Sequence, residues 1–194
     1  MAEIDLVRSE LTGLVDRAMA DENEAEPKEP FGLYIFDGED AGAELGRSVE
    51  RSVFYEAFGD TPGLLRTEYE PYEGASRFFC LIDHRRRVPA GVVRMILPSA
   101  AGLKSLNDLE RVWDEPAQAV LERTDVAMDP FRVWDIATLA ILPEYRGRAA
   151  SGIVALGLYQ GMFSQARLEG VAQCVTVLDV VVLRQVQYQF KKPF

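Results

Sequence analysis

Val133-Trp134-Asp135-Ile136-Ala137-Thr138-Leu139-Ala140-Ile141-Leu142-Pro143-Glu144-Tyr145-Arg146-Gly147-Arg148-Ala149-Ala150-Ser151-Gly152 is the stretch whose reading decides the fold. Val133 to Leu142 is apolar and β-branched enough to be a buried strand, and Pro143 stops it. From Ala149 to Gly170 the residues Ile153, Val154, Leu156, Leu158, Tyr159, Met162 and Phe163 recur at roughly helical spacing. A strand therefore enters a helix through a basic turn of small residues. The start of a helix offers unpaired backbone N–H groups and the positive end of the helix dipole. Small side chains let a ligand approach that backbone, and Arg146 and Arg148 add charge; together they make a cradle for a pyrophosphate. The plainer alternative is an ordinary strand-to-helix loop with two solvated arginines.

The rest of the chain limits what such a turn serves. At 194 residues it is one ordinary domain, long enough for a sizeable core. A formal net charge of −10 argues against broad nucleic-acid binding and against general attraction to an anionic membrane, so an anion site must be a local basic patch. No apolar run reaches spanning length and the N-terminus lacks a secretory layout, which points to a cytoplasmic protein. Cys80 and Cys174, without metal-ligand spacing, read as buried thiols in a reducing compartment, and no metal site is expected. His84 is the single histidine, in a charged turn, so no Ser-His-Asp arrangement can be built without it.

Ile4, Val7, Leu11, Leu14, Val15 and Met19 predict an amphipathic helix over residues 2–20, and the acidic, proline-bearing stretch to Pro30 predicts a linker. Residues 1–29 thus form an appendage to a domain of residues 30–194, serving as a lid, as an oligomer or partner contact, or simply packing on the domain. Phe31 to Phe36 reads as a strand. Glu44 to Phe58 reads as a helix with Leu45, Val49, Val53, Phe54 and Phe58 on its apolar side, broken by Asp60 to Gly63. Arg77 to Ile82 and Gly91 to Leu97 make a hairpin whose turn holds Arg85, Arg86 and Arg87; that turn is either solvated or a dock for an anion. Ala101 to Glu110 reads as a loop with a short helical turn, Pro116 to Arg123 as a helix, Val171 to Leu178 as a strand, and Val180 to Tyr188 as a helix capped by Asp179. The expected class is mixed α/β, a mostly antiparallel sheet flanked by helices.

Two sets of residues carry a family resemblance. Leu142-Pro143-Glu144-Tyr145-Arg146-Gly147-Arg148-Ala149-Ala150-Ser151-Gly152 resembles the acyl-CoA loop of the GNAT acyltransferase superfamily, whose Arg/Gln-x-x-Gly-x-Gly/Ala motif has its small positions on Ala149 and Ser151. Arg51-Ser52-Val53-Phe54, the run Glu68 to Glu73, Gly91 to Ser99, and Trp134 to Thr138 come in the order found in the autoinducer (acyl-homoserine-lactone) synthases and the long-chain N-acyl amino acid synthases. Glu70 and Glu73 fall on that branch's acidic loop positions, Arg94 on its strand arginine, Asp135 on its later acidic residue and Phe54 on its helix phenylalanine. The sequence departs from the pattern at Thr138, which stands for an arginine, and at Asp60, which stands for a tryptophan. It also departs in the spacing of Arg51 and Pro98, which argues against a homoserine-lactone product. Relatives also carry closing strands, for which only Gln187 to Phe194 remains: either those strands are missing or Tyr188 to Phe194 supplies one short edge strand, and an exposed edge implies either a homodimer or an inactive protein.

The resemblance implies an N-acyltransferase moving an acyl group from acyl-CoA or acyl carrier protein to a small amine, such as an amino acid. It implies a donor along Ile141, Leu142, Arg146, Gly147, Arg148, Ala149, Ala150, Ser151 and Gly152, and an acceptor near Phe54, Glu73, Arg94 and Thr138. Asp135 or Glu70 would take the amine proton, and Tyr188 would protonate the leaving thiolate. For Asp135 the structural alternative is an ion pair with Arg94, because a buried charge is costly unless paired. Glu70 and Glu73 alternatively form a solvated acidic loop, Tyr188 packs with its hydroxyl at the surface, and Trp134 belongs to the core. A non-catalytic acyl-CoA-binding sensor on the same fold is the alternative function.

Overall fold

A computed structural model describes residues 2–20, 29–124, 127–147, 152–178 and 180–190. The elements run α1 (Ala2–Ala20), β1 (Phe31–Asp37), α2 (Ala43–Phe58), α3 (Pro62–Tyr69), a 3-10 turn (Glu70–Ala75), β2 (Ser76–Asp83) and β3 (Val88–Ile96). They continue with α4 (Lys104–Trp113), α5 (Ala117–Thr124), β4 (Val133–Ile141), a second 3-10 turn (Pro143–Tyr145), α6 (Ile153–Leu168), β5 (Gln173–Val175) and α7 (Val180–Phe190). The sheet has the order β1-β2-β3-β4-β5 and is antiparallel except at its β4–β5 edge. No described helix is long and apolar enough to cross a membrane.

Strand alternation sends side chains to two separate cores. Phe78, Cys80, Ile82 and Val92 meet Leu45, Val49 and Val53 of α2 on one face. Phe79, Leu81, Val93 and Met95 meet Val154, Leu158 and Met162 of α6 on the other. Gly46 is what lets α2 lie so close to the sheet, since a Cβ there would stand 2.5 Å from the Phe78 ring. Helix α1 belongs to the domain rather than hanging from it: Val15 is fully buried in the α2-side core, and Asp16 pairs with Arg87 at 2.8 Å.

Several elements differ from the sequence reading. Pro62 opens α3 where a break was expected, because proline suits the first helical position and Thr61 caps it by accepting from the Leu64 amide. The 101–110 segment is dominated by α4, which runs through Trp113. Strand β5 is three residues long instead of eight, and Tyr188 ends up in α7 rather than in an edge strand. The rest of that expected strand, residues 191–194, and the capping Asp179 lie outside the described residues. Phe58 is 71% exposed at the end of α2 and takes no part in its apolar side. Cys174 is exposed while Cys80 is buried, so only one of the two thiols is in the core.

Candidate functional site

The site is organised by an irregularity in β4. Arg94 of β3 pairs with Thr138 while its neighbour Met95 pairs with Ile136, so Ala137 is an extra residue bulging from β4. A bulge inverts the alternation beyond it. Ile136, Leu139 and Ile141 thereby share the α6 face, and Thr138 turns toward α2. On its other side β4 pairs with β5 only from Val133 to Asp135, and from there to Ile141 it has no register partner on β5. Thr176 Oγ1 donates to the Ile136 carbonyl at 2.9 Å, just where the two strands part. From Ile136 to Ile141 the β4 edge thus has no strand partner on the β5 side, although single side chains reach the carbonyls of Ile136 and Ile141.

After β4 the chain turns toward α6. Gly152 sits at φ +68° as the N-cap of α6, and among the described residues no side chain caps the first amides of the helix. Arg146 is exposed and donates from Nε to the Ile141 carbonyl at 2.6 Å, tethering the end of β4. Gly147 has φ +64°, a left-handed conformation glycine adopts without penalty. Arg148, Ala149, Ala150 and Ser151, the middle of the expected cradle, lie outside the described residues. The turn is latched to the β2–β3 hairpin: Tyr145 donates to Asp83 Oδ2 at 2.9 Å, and Arg86 donates to the Tyr145 hydroxyl at 3.1 Å. Desolvation, and then the Asp83 carboxylate, push the Tyr145 phenol up to about 12. The arginine turn is therefore not simply solvated, because Arg86 and Arg87 are both engaged.

A cavity of about 330 Å³ opens between α2, α3 and β3. Behind it lies a closed set of charges. Arg94, 3% exposed, gives Nε and Nη2 to the two oxygens of Glu50 (3.0 and 2.6 Å) and Nη1 to Glu73 Oε2 (3.0 Å). Its guanidinium lies 4.2 Å from the Tyr69 ring centroid and 4.5 Å from that of Phe78. Thr138 Oγ1 donates to Glu50, and Arg47 donates to Glu73. Burial works against the Arg94 charge, but Glu50 and then Glu73 more than offset it and raise its pKa. Among the described residues no buried side-chain polar atom lacks a partner. The Tyr69 hydroxyl stands 3.5 Å from the Ala137 carbonyl oxygen, so the cavity wall touches the bulge. Burial, followed by Glu50, pushes the Tyr69 phenol far above its ordinary value and keeps it neutral.

With this geometry the chain resembles several solved proteins. An aminoglycoside acetyltransferase from an uncultured soil metagenomic sample, solved with sisomicin, is 11% identical with a TM-score of 0.50, over 84% of this chain and 88% of that one. An integron cassette protein from the mobile metagenome of V. cholerae is 8% identical with a TM-score of 0.53, covering 86% and 87% of the two chains. A candidate acetyltransferase of Pyrococcus furiosus is 16% identical with a TM-score of 0.51, covering 84% and 93%. No protein-family model and no curated protein matches. The fold is that of the GNAT acetyltransferases.

The residues singled out in the sequence divide over this GNAT-like frame. Glu70, Glu73 and Arg94 meet at the cavity, and Thr138 joins them through Glu50. Phe54 packs between the α2-side core and the cluster around Leu65, beside Phe58. Asp135 does not pair with Arg94. It is fully buried and accepts from the Ser105 amide (2.7 Å) and Ser105 Oγ (2.6 Å) at the start of α4. Desolvation raises its pKa against those two hydrogen bonds. Glu73 is half-buried and ion-paired, not part of a solvated loop. Tyr188 is 85% exposed on α7, and Trp134 is in the core. His84 is a structural bridge between the Glu29 carbonyl (2.7 Å) and the Tyr34 hydroxyl (3.0 Å). The sequence reading missed Arg47, Glu50, Arg66 and Tyr69. For Glu50 a signal existed: Gly46, Val49, Glu50 and Val53 form one helical stripe, with a charge where an apolar residue belongs.

Proposed function

We propose that this chain is an N-acyltransferase that moves an acyl group from a pantetheine thioester, acyl-CoA or an acyl carrier protein, to the amine of a small acceptor. The observation that carries the reading is β4, released from β5 after Asp135 and bulged at Ala137, with the Tyr69 wall of the cavity against the bulge. The pantetheine would pair with the free edge from Ile136 to Ile141. Its phosphates would meet Arg146, Gly147 and the start of α6, together with residues 148–151 of the same turn. A backbone N–H on the free edge would polarise the thioester carbonyl.

In the reaction the amine nitrogen bonds to the carbonyl carbon and the C–S bond breaks. An ammonium loses two protons on becoming an amide: one passes to solvent and the other ends on the thiol. Glu70, which lines the cavity with no ion pair among the described residues, is the group we assign to take the first proton. Asp135 does not serve there, since both its oxygens are held by Ser105. Tyr188, on the helix after β5, is assigned to return a proton to the thiolate. The test is thermal unfolding with acyl-CoAs from acetyl to long-chain, paired with free-thiol release across a panel of amines. A rise in Tm that Arg146→Glu removes, with thiol released, supports the reading. Binding without thiol release leaves only a sensor, and no shift with any acyl-CoA overturns it.

A further inference from the structure

Past Ile141 the chain leaves the sheet, and few bonds hold it on the way to α6. The Leu142 amide donates to the Ala90 carbonyl at 3.1 Å. From Pro143 to Gly147 the other main-chain hydrogen bonds among the described residues stay inside the turn, Tyr145 to Leu142 and Arg146 to Pro143. Side chains do the rest. Arg146 reaches back to the Ile141 carbonyl, and Tyr145 reaches sideways to the tip of the β2–β3 hairpin. That second reach ends on a carboxylate occupied on both sides. Asp83 Oδ1 accepts from the Arg85 and Arg86 amides, each at 3.0 Å, which closes the hairpin turn on it, while Oδ2 accepts from the Tyr145 hydroxyl. Arg86 donates to the same hydroxyl with its guanidinium 5.3 Å from the Tyr145 ring centroid, and the Phe31 ring stands edge-on to Tyr145 at 6.1 Å.

A phenylalanine would fill this place in the core as well. Taking the Asp83 carboxylate and a phenol hydroxyl out of water costs free energy that a plain ring would not. What the polar pair adds is direction. Apolar burial is non-directional, so a ring alone can slide against its neighbours, whereas a hydrogen bond weakens steeply as its angle opens. The hairpin thereby fixes where residue 145 stands, and with it the backbone of the next two residues, Arg146 and Gly147. Resting on the acyl-transfer reading, in which Arg146 and Gly147 meet the donor's phosphates, we infer that Asp83 and Tyr145 are positioning residues for the acyl donor. Their bond holds the phosphate-facing turn in place from the hairpin, and neither residue touches the donor.

The test is calorimetric titration of the full chain with the acyl-CoA that raises its Tm most. Tyr145→Phe keeps the ring and removes only the hydroxyl, and the exposed Arg86 can close on Asp83 in its place. Asp83→Asn keeps an oxygen for the two turn amides but offers an N–H where the hydroxyl needs an acceptor. Each variant should weaken acyl-CoA about fivefold or more, since a site loses precision when its support is loosened. The double variant should weaken it no further than the worse single one, as expected of two halves of one bond. Tyr34→Phe removes a hydroxyl bonded to His84 of the same hairpin and should leave acyl-CoA affinity at wild type whatever it does to Tm. Amide hydrogen exchange reads the latch without any ligand: Tyr145→Phe should speed exchange at Tyr145 and Arg146 and leave β4 protected. Wild-type affinity in the single variants, additive losses in the double, an equal loss in Tyr34→Phe, or unchanged exchange overturns this inference alone. No binding of any acyl-CoA by the wild-type chain overturns the acyl-transfer reading, and the donor role of the latch with it.

Discussion

The two halves of the site are made of opposite materials. The side we assign to the acceptor is built of side-chain charges brought together from α2, α3, the turn after it, β3 and β4, most of them already neutralised by one another. The side we assign to the donor is backbone: a strand edge without a partner on β5 and a helix start that no described side chain caps. A preorganised charge network fails all at once when one member is removed, because the partner left behind is buried and unpaired. A backbone edge tolerates most substitutions and fails only where conformation itself is at stake.

The sharpest way to break this contrast is Arg94→Met. It strands Glu50 at 4% exposure and should cost about 3–5 kcal/mol in urea unfolding. The double variant Arg94→Met with Glu50→Leu should recover part of that loss. Survival of the single variant at wild-type stability would mean the network is ornamental. On the donor side, Gly152→Ala has room for its Cβ yet forces an L-residue to φ +68°, so about 1 kcal/mol is expected, with most of the effect in acyl-CoA affinity.

A third measurement separates Asp135 from the reacting groups. Its folded pKa lies above its ordinary value, burial being the main cause. Between the ordinary carboxylate value of about 4 and the raised one, the native state holds the proton that the unfolded state has released. Stability therefore falls as pH rises through that window and levels off above it. Asp135→Asn does not titrate, so the stability of wild type relative to the variant should decline across the window. A flat difference would place Asp135 in contact with solvent or with a further cation. The smallest effect is Arg87→Ala at the half-exposed pair with Asp16, about 0.5 kcal/mol or less and diminished by salt.

The same contrast explains what could be read from the sequence. The strand, its stop at Pro143 and the following helix are consecutive, so one local pattern revealed them, together with the hairpin and the class of sheet. The bulge at Ala137 depends on pairing with β3, which no local pattern encodes. The acceptor cavity was barely legible, because Glu50, Tyr69 and Arg94 are far apart in the chain and Pro62 looks like a breaker when read alone. Asp135 advertised a buried charge correctly, but its partner was a serine hydroxyl and amide at the start of α4, and α4 itself was underestimated. Glu73 was visible as an acidic residue and not as the hinge between two arginines.

One feature away from the cavity ties α1 to the turn that leads into α6. The hairpin turn that grips Tyr145 through Arg86 also grips α1, through the next residue, Arg87. A protein or tag that took hold of the first helix would thus tug on the turn that leads into α6, about as directly as two adjacent peptide units allow. Trimming the chain back to β1 would both uncover the socket filled by Val15 and release that tether, so a fragment that keeps the fold should retain α1 rather than start at residue 30.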